Sequence, residues 1–330
     1  MMRMSGWVLC AVLLAVLASH PARGQELRFL DAKQGGDFLA TPDEYTRRMS
    51  DFDLRVMIRT TQKKSMQDYL ALARSAAMSW TDDERQRITA AYDSIRGELK
   101  ELAVPLPREV LLIKTSGAEE WDAAYTRGPA IILPAGDLAG GEQGLRRLVA
   151  HELFHVLARA FPQMTDRVYP AIGFNPCGEL RLPPQVAARV LNNPDTPRND
   201  HCIELAAVTG RVTGMPALLS PDGKFDPGMK GGIGAVLSRM QTGLMVVTPG
   251  PGGTVRPVLL NGSPQIIPWK DLPDLPAKVG RNTGYLIHAE EMLADNFALL
   301  VTRAANVPSP EVLARIRAAL HGIPQGDSAR

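Results

Sequence analysis

Basic runs, low-complexity tracts and internal repeats are missing from this 330-residue sequence, and aromatic residues make up only 5% of it. Without clustered Lys and Arg or interleaved aromatics, a nucleic-acid partner is not expected. Beyond the first two dozen residues no apolar stretch approaches the roughly 20 residues that a membrane-crossing helix needs. Cysteine occurs three times. That is too few for a disulfide-dense scaffold, and the 45% hydrophobic content is instead that of a chain with an ordinary packed core.

The first residues, MMRMSGWVLCAVLLAVLASHPARGQ, have a basic start at Arg3, an apolar run from Trp7 to about Ala18 and a small-x-small ending at Ala22 and Gly24. This is the pattern of a secretory signal peptide, 1–24, cut before Gln25. The run is too short to be read as a retained anchor, so the mature chain is expected to be exported, periplasmic or secreted, without a membrane partner. Cleavage would remove Arg3 and Arg23 and no acid, taking Lys plus Arg from 37 to 35 against 35 Asp plus Glu. Cys10 leaves with the leader. An even pair remains, Cys177 and Cys202, and in an exported chain that favours a disulfide over two free thiols.

Residues 25–103 read as a helical N-terminal region. Its clearest signal is Thr81 followed by Glu84, the spacing of a capping box. From 104 the texture changes to short β-like runs, REVLLIKTSG and GPAIILPAG, then a Gly-rich turn and an apolar helix. Proline is dense from 162 to 197, and 203–275 reads as a β-rich insertion. Helical patterning returns in HAEEMLADNFALLVTRAANV and SPEVLARIRAAL. The expected class is α+β.

The apolar helix carries the chemistry. In RRLVAHELFHVLARA, hydrophobic residues surround His151, Glu152 and His155 on nearly all sides, so the helix is expected to be buried. Buried polar groups need hydrogen bonds, ion pairs or a metal. Four residues apart, His151 and His155 lie on one helical face and can aim two nitrogens at one cation, with bonds of about 2.0–2.1 Å for zinc. Glu152 is offset from that face. It can reach a water beside the metal and serve as general base.

HELFH resembles the HExxH helix of the zincin metallopeptidases. The metzincin extension requires Gly and His where this chain has Ala158 and Phe161, so that branch does not fit. Glu291 and Asp295 in HAEEMLADNFA match the E-x-x-x-D spacing of the gluzincins. The resemblance implies a zincin-like core over 104–330, with Glu291 as third Zn2+ ligand and Asp295 orienting a zinc histidine. Glu290 and His288 are the alternatives for the ligand, since an acidic first turn also suits a helix dipole. Tyr285, His288 and Tyr125 are candidate donors to a tetrahedral oxyanion, and AIILP, residues 130–134, is the expected substrate-pairing edge strand. The implied activity is hydrolysis of a peptide or protein substrate. The competing reading is an exported zinc-binding scaffold or interaction module without turnover.

Overall fold

The computed structural model describes residues 26–208 and 210–321; the leader read at 1–24 lies outside the described residues. The chain forms a mixed α+β structure with two main sheets. The first contains β1 (Glu26–Phe29), β2 (Ala77–Met78), β3 (Glu109–Thr115), β4 (Tyr125–Arg127) and β5 (Ala130–Pro134). Their order is β1-β3-β5-β4, with β2 on the far end of β3. β1, β3 and β5 run parallel and β4 runs antiparallel to β5.

The N-terminal helices are α1 (Ala32–Leu39), α2 (Glu44–Arg48), α3 (Asp51–Met57), α4 (Met66–Ala76) and α5 (Asp82–Glu101). Each of the five opens with a capping box, which satisfies amides that have no partner in the first turn. At α5 the box is formed by Thr81 and Glu84, as the spacing implied. The helices are tied to the sheet rather than standing apart from it. Arg127 on β4 is buried, pairs with Asp43 at 2.6 Å and donates to the carbonyls of Leu39 and Thr41. An unpaired guanidinium at this depth would be very costly, so these contacts hold α1 and α2 against β4.

α6 (Glu142–Ala160) follows β5 and bears HELFH. Downstream come α7 (Pro162–Val168), β6 (Phe174–Pro176), α8 (Pro184–Ala187), β7 (His201–Ala207), β8 (Gly210–Leu219), α9 (Ile233–Leu237), β9 (Gln241–Pro249) and β10 (Val255–Pro257). Strands β6 to β10 form the second sheet in the order β10-β9-β8-β7-β6, entirely antiparallel, with Ile266–Ile267 also on β9. Cys177 and Cys202 are disulfide-bonded, with Cα atoms 5.7 Å apart. The bridge closes a ring of 25 residues, worth about 3 kcal/mol on the chain-entropy account.

α10 (Leu275–Val279), α11 (Ala289–Val301) and α12 (Pro310–His321) complete the order. α11 lies against α6, with the Phe154 and Phe297 rings 5.2 Å apart. One hydrophobic cluster takes in α5, α6, α11, α12 and both sheets, so the two helices that carry the motif residues are fixed in a common core. No helix among the described residues is long and apolar enough to cross a membrane.

Candidate metal centre

α6 is buried on almost every side, and within it Glu152 is 3% exposed and His155 is fully covered. α11 begins at His288, whose side chain caps the helix by accepting from the Glu290 N–H at 3.0 Å. The cap places Glu290 and Glu291 in the first turn, facing α6.

His151 Nε2, His155 Nε2 and Glu291 Oε2 converge. The separations are 3.2 Å between the two nitrogens and 3.2 and 3.6 Å from the carboxylate oxygen to His151 and His155. Four-coordinate bonds of about 2.0–2.1 Å would set ligand atoms roughly 3.3 Å apart, and the triangle has that size. The other ring nitrogens are already committed: His151 Nδ1 to Asp295 at 3.1 Å and His155 Nδ1 to Glu290 at 2.9 Å. If each Nδ1 donates to its carboxylate, each Nε2 is left with a lone pair to offer a cation. Two lone pairs and a carboxylate oxygen meeting in a buried space repel one another unless a cation joins them. His151, His155 and Glu291 can therefore hold a metal ion.

Where no cation joins them, the same carboxylates draw protons onto the imidazoles. Burial lowers the His151 pKa, but hydrogen bonds to Asp295 and Glu291 outweigh it and push it up to about 10. His155 is likewise raised against burial, by Glu291, Asp195 and Glu290. Burial pushes the Glu291 carboxyl up, yet the two histidines hold it well below the usual carboxylate range. Carboxylates that draw a proton onto imidazole draw a cation by the same charge.

Around these three side chains runs a set of supporting contacts, most of which the sequence does not disclose. Glu290, an alternative ligand by sequence, braces His155 and receives the Tyr169 hydroxyl at 3.1 Å. Asp295 meets His151 Nδ1 and is bound by Thr283. Asn193 donates to Glu291 Oε1 at 2.5 Å, which turns Oε2 toward the histidines. Thr126 on β4 donates its hydroxyl to Glu152 Oε2 at 2.9 Å. Asn193 lies in a loop, Thr126 on a strand and Tyr169 in the helical turn after α7, with no motif around them, so only tertiary structure could reveal them.

The candidate oxyanion donors part company. Both His288 nitrogens are used, Nδ1 in the helix cap and Nε2 on the Arg198 carbonyl at 3.0 Å, so the ring has nothing to offer a ligand. Tyr125 gives its hydroxyl to Glu119. Tyr285 lines a small recess of about 50 Å³ together with Asn193, Asp195 and Glu120. Burial, with Glu291 and Asp195 nearby, raises its pKa and keeps its hydroxyl protonated. The edge-strand expectation needs correcting: residues 130–134 form β5, paired on both sides, and the sheet edge near the metal helix is β4.

Glu120 at the wall of the recess accepts the hydroxyls of Tyr45 at 3.0 Å and Tyr69 at 2.5 Å on one oxygen. Burial pushes its carboxyl up to about 8, against the pull of those hydrogen bonds. Between the unfolded value near 4.5 and about 8 the folded state holds the extra proton, so stability falls as pH rises through that window. The loss should reach a few kcal/mol, and Glu120→Gln should remove most of it. Denaturant unfolding of both forms at pH 5 and pH 8.5 checks this; parallel pH profiles would refute it.

These features define an α+β protein in which two histidines on α6 and a glutamate on α11 form a group that could hold a metal ion. A family model described as the eCIS core domain (extracellular contractile injection system) matches residues 116–161, a short part of the chain that includes β4, β5 and HELFH. No curated protein and no solved structure matches the chain.

Proposed function

We propose that the chain is an exported zinc metallopeptidase with a gluzincin-like arrangement. The observation that carries the proposal is the pairing of a tetrahedral-sized ligand triangle with Glu152, a buried carboxylate on the same helix that stands outside the ligand set. Zinc in this position would lower the pKa of a water and polarise a peptide carbonyl. Glu152 is held at Oε2 by Thr126, leaving Oε1 to take a proton from the attacking water and later give it to the departing amine. Burial raises the Glu152 carboxyl while the two imidazoles oppose the rise, which suits a group that both accepts and returns a proton. Tyr285, kept protonated by burial and by the nearby Glu291, Asp195 and Glu152 carboxylates, would be the donor to the developing oxyanion.

Gluzincin kinship is supported by the order of ligands along the chain and by Asp295 on the first histidine; a β-rich segment between the two metal helices accounts for their 136-residue separation. A second reading, a zinc-stabilised module without turnover, is favoured by the complete burial of β4, where substrate would have to pair. Protein purified without chelators should carry one zinc per chain and cleave members of a denatured-protein digest assay read by mass spectrometry. A chain without stoichiometric zinc defeats both readings, and a zinc-loaded chain that cuts nothing favours the module.

A further inference from the structure

β4 is the edge of its sheet, yet Tyr125, Thr126 and Arg127 are all buried. In an antiparallel pair alternate residues turn their backbone groups toward the neighbour and away from it. Thr126 faces away from β5, because its N–H goes to the Asp195 carboxylate at 2.5 Å. That N–H is the group an incoming extended chain would use at this edge. The same residue's hydroxyl holds Glu152. Two residues before Asp195, Asn193 reaches the ligand Glu291, and the Pro194 carbonyl between them accepts from Arg159 at 3.1 Å.

From these contacts we propose that residues 192–198 are an intramolecular strap lying in the substrate groove, so that the site is closed until the strap is displaced. The proposal rests on the peptidase reading. Asp195 meets the edge through a side chain, with no strand ladder, so a substrate backbone can replace it one bond for one. Pro194 and Pro197 have no N–H and cannot extend pairing along β4, which also keeps the strap from lying there as a substrate does. Its ends are anchored by the N-terminal helices. The backbone N–H and side-chain amide of Asn192 both go to Asp53 on α3, each at 2.8 Å, and Arg198 binds Glu44 on α2 at 2.6 Å. The whole strap lies inside the ring closed by Cys177 and Cys202, so a cut within it would leave both pieces attached.

The test uses the full mature chain with zinc bound, in three forms: wild type, Asp195→Ala, and a form with an engineered protease site in the strap that is cut after folding. Cutting should raise kcat/KM on a quenched fluorescent peptide by tenfold or more, Asp195→Ala should raise it in the same direction, and both should speed zinc loss to a chelator. The cut form is judged with its thermal transition intact, which covers the case in which Asp195→Ala fails to fold. Equal or lower kcat/KM after cutting overturns the strap while the peptidase reading stands. If no form cleaves peptide although zinc is bound, the peptidase reading fails, and an unchanged rate of zinc loss on cutting then overturns the strap as well.

Discussion

Glu152→Gln should leave zinc in place and lower kcat/KM for peptide cleavage by about 10²–10⁴-fold, the range supplied by a positioned acid–base group. The change is close to isosteric. Thr126 can still donate its hydroxyl to the amide oxygen, so the side chain should keep its place beside β4. What is lost is the ability to accept a proton. The metal should stay because the three convergent atoms belong to His151, His155 and Glu291, and each keeps its own brace. Metal content by atomic spectroscopy and rates on a fluorogenic peptide give the two readouts. A variant with wild-type rates would remove Glu152 from the chemistry, and one that loses its zinc would show that Glu152 supports the metal instead.

The division between what the sequence disclosed and what it withheld follows the range of the interactions. HELFH and the Glu291–Asp295 spacing are local: i and i+4 positions on one helix face each other whatever surrounds them. Capping at Thr81 is local too, and the two cysteines could be paired by count. The sheet edge was misplaced because an apolar run such as AIILP reads the same whether a strand is flanked on one side or both. Only the return of Tyr125–Arg127, three residues with no alternating pattern, makes β4 the edge. Asn193, Asp195 and Thr126 were silent for a related reason. Each is an ordinary polar residue whose role depends on a partner far along the chain, such as Glu291, 98 residues from Asn193. His288 shows the reverse error, since closeness to the glutamate helix in sequence suggested chemistry where the ring serves as a cap.

Deleting a ligand and deleting its brace should differ by an order of magnitude or more in zinc affinity. Structural zinc sites with four protein donors bind with roughly 10–16 kcal/mol, so removing one of three ligands should weaken binding by at least about 10²–10³-fold. His151→Ala, His155→Ala and Glu291→Ala belong in that group. Glu290→Gln and Asp295→Asn keep the imidazoles but loosen their orientation and basicity, which costs about 10–100-fold. The same order should appear in stability. Zinc at 1,000 times its dissociation constant adds about 4 kcal/mol to the folded state, so chelation should lower the melting temperature of wild type and should scarcely move that of the ligand variants. Competition titration with a chromophoric chelator, run beside thermal melts with and without zinc, measures both. Glu290 and Glu291 are adjacent in the first turn of α11, and the comparison between them is the sharpest part. Their geometry assigns Glu291 to the metal and Glu290 to the His155 ring, so Glu291→Ala must weaken zinc binding more than Glu290→Ala. The opposite ranking would exchange their roles and leave the ligand triangle without its third corner.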